Sequence, residues 1–338
     1  MDAVLTTMVE DCIGPGEYNR FLIQTARELF GFDYCLALRS PVLALQLALE
    51  ALTAMADNLE ANGGTISRGK GVIISALSPL YYERVIKGLG LFPLYCDTSE
   101  DSPLMAAEKI EALLAAKPLC IVLHHSLGYL PEAQILDSFD IPVIEDCSQS
   151  AQTYLDGKIA GTFGTLAILG LEEKDMITAG GGALLYAARR QGAAILRSIG
   201  DLSPEYQLPD INAAMAAVQL REAEKNLLRR RELAEGYMHA ALQTRHKRFR
   251  ETEGMDYNHY AFSLVLESGV KDVKSYAKRK DIAVAEAFDA TLTGSGAIPS
   301  AQCPNAASLA LRTVLFPLYP RLSAHAAQHV ARLITTLP

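Results

Sequence analysis

The chain has 338 residues, of which 50% are hydrophobic and 21% are charged, a balance that excludes a disordered chain. Its length is typical of a globular protein with roughly two domains, at about 150 residues per domain. The formal net charge of −8, without a long basic tract, argues against binding to nucleic acid or to anionic membrane surfaces.

The N-terminal segment is acidic and lacks the charged and apolar regions of a secretory signal, and no uninterrupted apolar run reaches about 18 residues. We therefore expect a cytoplasmic protein without a membrane partner. The cysteines have neither a C-x-x-C pair nor a histidine at zinc-finger spacing, so we expect reduced, buried thiols and no metal site. These cysteines are Cys12, Cys35, Cys96, Cys120, Cys147 and Cys303.

The first long helix is predicted to begin after the N-cap residue Ser40, with Pro41 as its first helical residue, and to end at Gly63. Because this segment is apolar on nearly every side, we expect the helix to be buried. Short apolar runs follow, each succeeded by a helical stretch, and this alternation predicts an α/β fold with a mostly parallel central sheet. The runs are 71–77, 91–97, 119–125, 141–147, 165–171 and 183–187.

The last third of the chain has a different pattern. One or two amphipathic helices are predicted between about 203 and 250, followed by an alternating strand at 259–267 and a helix near 271–280. A final helix is predicted from Ser323. These elements indicate a smaller α+β domain that also uses the N-terminal segment. The predicted domains are a large α/β domain over 1–235 and a small domain over 236–338.

Polar residues close several of the predicted strands. His124 and His125 end one run, Glu145 and Asp146 end another, and Lys174 lies in the loop after a third. Ligands of open parallel sheets bind outside the carboxyl ends of the strands, so these residues are candidates for a site. An isolated aspartate there is often only a helix cap, and a lysine among acidic neighbours is often a surface charge.

Several segments, in a fixed order along the chain, carry a family resemblance. They are F-L-I-Q-T-A-R-E-L-F-G near the start, the helix after Ser40, H-S-L-G-Y-L-P at 125–131, E-D-C-S-Q-S at 145–150, K-D-M-I-T-A-G-G-G at 174–182, L-P-D-I-N-A-A-M-A-A-V-Q-L at 208–220 and L-F-P-L-Y-P-R-L-S at 315–323. On these segments the chain resembles the DegT/DnrJ/StrS family of sugar aminotransferases, as a divergent member. The resemblance implies the fold type I architecture of pyridoxal-phosphate-dependent transferases.

The resemblance also implies a role for each matching residue. Asp146 would pair with the pyridinium nitrogen of pyridoxal phosphate, and Gln149 would lie against the face of the ring. Lys174 would be the catalytic residue, which forms the internal Schiff base and then moves a proton. His125 is interpreted as structural rather than catalytic. The Gly180–Gly182 run is interpreted as a tight turn before a strand.

The positions that would bind the cofactor phosphate depart from the family pattern. Pro41 and Val42 stand where the family has Gly-Thr, and Leu169 replaces a serine. Glu205 replaces an asparagine of the Y-N-Y-R motif, and a carboxylate repels a phosphate. Ser40 and Arg39, at the same helix N-terminus, are the residues that could compensate.

An aromatic residue that covers the ring in the family corresponds to Pro79, although Tyr81 and Tyr82 are near enough to substitute. Two functions remain open. The first is a pyridoxal-phosphate-dependent aminotransferase, acting as a homodimer on an amino acid and a nucleotide-linked keto sugar. The alternative is a degenerate, non-catalytic member with a binding or regulatory role. Lys174 argues against a dehydratase, since dehydratases of the family replace that lysine by histidine.

Overall fold

A computed structural model describes residues 2–9, 13–61, 69–132, 135, 140–267 and 269–338. Among these residues the main sheet has seven strands in the order β1-β9-β8-β5-β4-β2-β3. Strands β8, β5, β4, β2 and β3 are parallel, whereas β9 is antiparallel to both of its neighbours. The strands are β1 Tyr34–Leu38, β2 Gly71–Ser75, β3 Phe92–Cys96, β4 Cys120–His124, β5 Val143–Asp146, β8 Leu166–Gly170 and β9 Ala183–Ala187.

The helices cover both faces of this sheet, and two buried apolar clusters lie between the layers. The helices are α1 Asp2–Val9, α2 Glu17–Phe30, α3 Pro41–Ala61, α4 Leu80–Gly88, α5 Ala107–Leu114, α6 Arg190–Arg197, α7 Asp210–Arg221, α8 Ala223–Ala241, α9 Val270–Arg279, α10 Pro304–Arg312 and α11 Ala324–Thr335. This arrangement confirms the predicted α/β class with a mostly parallel central sheet.

All six predicted apolar runs contain strands of the main sheet, and the run at 183–187 matches β9 at both ends. The edge strand β1 is absent from the predicted set. It has five residues and lies between the end of α2 and Ser40, so its apolar stretch is too short to stand out from the flanking helices.

Helix α3 begins at Pro41, as predicted, and the Leu43 amide donates to Ser40 Oγ at 3.2 Å. The expected end at Gly63 lies outside the described residues. One side of α3 packs against β8 and β9 in the first cluster, but Val42 and Leu59 are 42% and 49% exposed, so the helix is not buried on nearly every side. Judged by length and composition only, α3 is the one described helix that could span a membrane.

The C-terminal region contains a second sheet, in the order β11-β13-β12, packed with α8, α9 and α11 around a third apolar cluster. Its strands are β11 Phe262–Val265, β12 Ala285–Glu286 and β13 Thr313–Phe316. The helix near 271–280 and the helix after Ser323 are confirmed as α9 and α11. The predicted boundary at residue 235 falls inside α8, and that division remains a prediction.

The described part of the N-terminal segment packs on the large α/β unit, and its share in the small domain remains a prediction. Helices α1 and α2 pack against α7, and the Asp210 carboxylate accepts the amides of Gly16, Tyr18 and Asn19 at 2.8–2.9 Å. These bonds satisfy free N–H groups at the start of α2.

A third, short sheet joins the C-terminal third of the chain to the segment after β5. In this sheet β10 Met255–Asp256 pairs with β6 Tyr154–Leu155, which pairs with β7 Lys158–Ile159.

The five described cysteines are buried and form no disulfide among the described residues, as expected for reduced thiols in apolar surroundings. Burial raises the pKa of the Cys147 thiol well above its ordinary value, so this cysteine stays protonated. Cys12 lies outside the described residues.

Candidate active site

Two polar side chains meet at the carboxyl ends of β4 and β5. The parallel register of these strands pairs His124 with Asp146. Both residues are buried, and His124 Nδ1 lies 3.6 Å from Asp146 Oδ2. This is where an α/β sheet binds its ligands, so the structure places Asp146 in the predicted position within the fold.

The Asp146 carboxylate is bonded to groups of the chain itself. Its Oδ1 accepts the backbone N–H of Ser148 at 3.0 Å and the Ser148 hydroxyl at 2.5 Å. Its Oδ2 accepts the hydroxyl of Tyr82, whose side chain is fully buried. Ser148 Oγ also accepts the amide of Gly170 at 2.8 Å, which ties this group to the end of β8.

These contacts determine the protonation of both partners. Burial alone would raise the pKa of Asp146, but His124 and the hydrogen bonds from Ser148 and Tyr82 outweigh it and hold that pKa well below its usual range. Burial and the charge of Asp146 raise the pKa of Tyr82 well above its ordinary value. Asp146 is therefore ionised, and Tyr82 keeps its proton and acts as the donor.

Lys174 and Asp175 lie together in the loop that follows β8. Lys174 is exposed, and its backbone carbonyl accepts the hydroxyl of Tyr260 at 2.7 Å. Asp175 turns inward, where its Oδ2 accepts the amide of Glu172 at 2.8 Å and lies 2.2 Å from the point that a Cβ on Gly170 would occupy. The Asp175 carboxylate therefore packs against the end of β8.

The position of Asp175 has an electrostatic consequence. Burial raises its pKa to about 7, and the charges of Asp146 and Glu172 add to the effect, although the Glu172 amide bond opposes it. Asp146 and Asp175 thus have pKa values on opposite sides of the ordinary range. Such divergence is a feature of acid–base sites, but it also arises wherever two buried carboxyl groups share a small space.

Gln149 lies in the turn after β5 and is half-buried. Its Oε1 accepts the amide of Leu127 at 2.6 Å, and its backbone carbonyl accepts Nδ2 of Asn258 at 2.8 Å. Leu127 has a positive φ of 55°, a conformation that L-residues adopt only with support. The Gln149 side chain gives that support, because its carboxamide oxygen is bonded to the loop after β4.

His125 points away from Asp146. It is fully buried, with Nδ1 2.7 Å from Ser150 Oγ and Nε2 3.6 Å from Glu145 Oε2. Burial, with a contribution from His124, lowers its pKa to about 3, so the ring is neutral. The arrangement fits the structural role predicted for His125.

The positions predicted to face a phosphate supply few donors. The Ser40 hydroxyl accepts the amide of Leu43 as a helix cap, Pro41 has no N–H, and Val42 is apolar. Leu169 is fully buried in the cluster that contains α2 and α7, on the side of the sheet opposite α3. Glu205 is exposed and accepts the hydroxyl of Ser203.

The glycine run before β9 is a turn, as predicted. Gly180, Gly181 and Gly182 have φ values of 71°, 135° and 114°. The amide of Leu171 donates to the Gly182 carbonyl at 2.9 Å, which closes the loop that carries Lys174. Only glycine adopts three such values in succession without strain.

The sequence predicts most residues of this site but not the hydrogen bonds between them. It predicts Tyr82 as a cover for the cofactor ring, not as a partner of Asp146, and it does not single out Ser148 or Asp175. The predicted strand ends offered a signal, because His124 and Asp146 close neighbouring parallel strands and must lie side by side. No comparable signal exists for Tyr82, which comes from a helix and is 64 residues away from Asp146.

The seven-stranded sheet, the small α+β unit and the aspartate at the end of β5 together define a pyridoxal-phosphate transferase fold. Residues 1–335 match a sequence model of the DegT/DnrJ/EryC1/StrS aminotransferase family, and the chain belongs to this family. An aminotransferase family implies small-molecule substrates.

Solved structures of the same fold share few residues with the chain. One is a DegT DnrJ EryC1 StrS aminotransferase from Brucella abortus (20% identity, TM-score 0.84, 98% of this chain and 93% of that chain). Another is the sugar aminotransferase CalS13 from Micromonospora echinospora (18%, 0.80, 99% and 96%). A third is Spr1654 from Streptococcus pneumoniae in its PLP form (16%, 0.84, 99% and 96%).

Pyridoxal phosphate is the cofactor that this family implies, and the donors and acceptors of this chain do not fit it. A pyridinium N–H would have to share Asp146 Oδ2 with the Tyr82 hydroxyl, which this oxygen already accepts. A dianionic phosphate needs several donors, and Pro41, Val42 and Leu169 provide none from their side chains. The exposed Lys174 alone retains a suitable group for the aldehyde.

Proposed function

We propose that this chain is a degenerate, non-catalytic member of the family, which keeps the transferase fold for a binding or regulatory role. The hydrogen bond from Tyr82 to Asp146 is the observation that carries the proposal, because it places a hydroxyl of the chain itself on the carboxylate that a pyridinium nitrogen would need. The inward carboxylate of Asp175 adds support. A second acidic group beside Asp146 disfavours a phosphate-bearing ligand at these strand ends.

The test is cofactor binding by the purified full-length protein. We expect that wild-type protein incubated with pyridoxal phosphate and then desalted shows no imine absorbance above that of a Lys174→Ala variant. Lys158→Ala is the matched control, because Lys158 is also exposed but lies in β7, outside the loop after β8. An imine band that disappears in Lys174→Ala and persists in Lys158→Ala would contradict the proposal.

A second candidate function is favoured by a separate observation. Lys174 stands at the family's Schiff-base position, and the hydroxyl of Tyr260 fixes its backbone carbonyl. On this reading the chain is a pyridoxal-phosphate-dependent aminotransferase that moves an amino group from an amino acid to a nucleotide-linked keto sugar. The positive outcome of the same absorbance test, followed by loss of the band on adding an amino acid donor, would establish this function.

The predicted homodimer and cytoplasmic location belong to either function as proposals. Val42 and Tyr206 are 42% and 48% exposed, and the Tyr206 carbonyl accepts the Arg39 amide at 3.0 Å, so two apolar side chains lie near the start of α3. An exposed apolar surface of this kind is typical of a subunit contact. Light scattering after size exclusion tests the dimer, with Val42→Asp as the variant expected to weaken it.

A further inference from the structure

Tyr82 is held in place from three directions. Its backbone lies in the first turn of α4, where its amide donates to the Pro79 carbonyl at 3.1 Å. Its ring packs edge-on against Tyr81 and His124, with centroid distances of 5.0 and 6.1 Å. The side chain has no exposed surface, so it cannot move without disturbing its neighbours.

The loop before Tyr82 is anchored from the C-terminal region. The amide of Leu292 donates to the Ser78 carbonyl at 3.0 Å, and Thr293 donates to the Ala76 carbonyl through its amide at 3.1 Å and its hydroxyl at 2.8 Å. These bonds cross more than 200 residues of sequence and fix the start of α4. The position of the Tyr82 ring is therefore set by the tertiary fold.

The chain itself fills three of the acceptor sites of the Asp146 carboxylate. An ionised carboxylate offers about four lone-pair directions. Ser148 fills two of them through Oδ1, Tyr82 fills one through Oδ2, and the His124 ring lies 3.6 Å from the same Oδ2. Because the Tyr82 hydroxyl and the His124 ring already flank Oδ2, a further ring with an N–H would compete with Tyr82 for this oxygen.

We infer that the Tyr82 phenol occupies the place that a cofactor's pyridine ring would take against Asp146, so that residue 82 determines whether this site admits such a ring. The phenol is a planar six-membered ring with one polar hydrogen, as a pyridinium is. This inference rests on the proposed non-catalytic function and deepens it. It assigns the exclusion of the ring to one side chain rather than to the altered phosphate positions.

The structure also suggests why a donor is kept at this position. A buried carboxylate without a positive partner loses its hydration and must be compensated by hydrogen bonds. The Tyr82 hydroxyl and the two donors of Ser148 provide this compensation from within the chain. Tyr82 therefore adds to the effect of His124 and Ser148 in keeping Asp146 ionised, and it keeps the core packed without a bound ring.

The experiment compares Tyr82→Ala with Tyr82→Phe, using pyridoxine as the probe. Pyridoxine has the cofactor's ring but an alcohol in place of the aldehyde, so it does not react with surface lysines. By calorimetric titration, we expect Tyr82→Ala to bind pyridoxine at least about tenfold more tightly than wild type. Tyr82→Phe keeps the ring without the hydroxyl, and it is expected to bind no better than wild type.

Three outcomes would overturn the inference. Tyr82→Ala could bind pyridoxine no better than wild type, Tyr82→Phe could bind it as well as Tyr82→Ala, or wild type could bind it tightly. Tyr82→Leu repeats the comparison if Tyr82→Ala does not fold. A wild-type crystal soaked with pyridoxine needs no variant: a Tyr82 ring that remains on Asp146 supports the inference, and a displaced ring overturns it.

The result separates this inference from the proposed function. A Lys174-dependent imine band in wild-type protein overturns both, because the ring then enters despite Tyr82. No band in wild type and no pyridoxine binding by Tyr82→Ala or Tyr82→Leu overturns the inference alone. The chain would then be non-catalytic for another reason, such as the loss of phosphate donors at the start of α3.

Discussion

Removing the Tyr82 hydroxyl should destabilise the protein more than removing an equally buried hydroxyl elsewhere. Tyr82→Phe leaves the ring in place and deletes one hydrogen bond to an ionised carboxylate. Hydrogen bonds to charged groups contribute about 1.5–3 kcal/mol to stability. With an unfolding entropy of about 2.1 cal/mol/K per residue over the whole chain, the expected fall in Tm is about 2–4 °C.

Tyr237→Phe is the matched control. Tyr237 is also fully buried, but its hydroxyl donates to a neutral acceptor, the carbonyl of Pro317, at 3.0 Å. A neutral hydrogen bond contributes about 0.5–1.5 kcal/mol, so this variant should lose roughly half as much stability. Urea unfolding of both variants and wild type, followed by far-UV circular dichroism, measures the two differences in free energy of unfolding.

The pH dependence adds a second check on the same pair. The pKa of Asp146 is lower in the folded protein than in the unfolded chain, where it is about 3.9, so the ionised carboxylate stabilises the fold. This stabilisation is complete above about pH 3.9 and is lost as the pH falls through the folded pKa. The cost of Tyr82→Phe should therefore be constant from about pH 5 to 8 and shrink below about pH 4, whereas that of Tyr237→Phe should not change. A Tyr82→Phe cost no larger than the Tyr237→Phe cost at pH 7 would refute the reasoning.

Three further predictions concern other parts of the chain. The folded pKa of Asp175, about 7, lies above its unfolded pKa of about 3.9, so this residue lowers the stability of the fold as pH rises from about 4 to 7. Asp175→Asn should therefore be more stable than wild type at pH 8, by at most about 4 kcal/mol, and the gain should be smaller at pH 5. Urea unfolding at both pH values measures the difference. Asp97→Ala removes the cap of α10 and should cost about 1–2 kcal/mol in the same assay. Gly161→Ala places a Cβ 1.9 Å from the Tyr186 hydroxyl at a φ of 87°. Gly31→Ala is its control, because Gly31 has a similar φ of 64° but open space around it, and this variant should cost only about 1–2 kcal/mol. Gly161→Ala should therefore lower Tm far more than Gly31→Ala.

The sequence carries most of the information that specifies the main sheet. Its parallel strands are buried on both faces, so they appear as continuous apolar runs separated by helices, and this pattern needs no knowledge of distant contacts. The edge strand β1 and the packing of the N-terminal helices on α7 depend on tertiary contacts. Asp210 bonds to the start of α2 across more than 190 residues, which no local pattern reveals.

The site shows the same division between local and distant information. The positions of His124, Asp146 and Lys174 follow from strand ends and from motif order. Which side chain of a loop packs inward does not follow, and here the Asp175 carboxylate packs against Gly170 at the end of β8. Adjacent residues in an irregular loop point in directions set by backbone dihedrals and packing, not by a sequence period.

An aspartate at the end of a strand identifies the fold of such an enzyme more reliably than its chemistry. The carboxylate of Asp146 can hold a pyridinium only if an acceptor site is accessible. Access depends on Ser148, within the same motif, and on Tyr82, which lies 64 residues away in a helix. The Tyr82 hydroxyl, supplied by α4, makes this carboxylate an internally hydrogen-bonded group of the core rather than a ligand-binding group. Counting the donors around Asp146, rather than matching its motif, therefore distinguishes a cofactor site from its structural remnant in this fold.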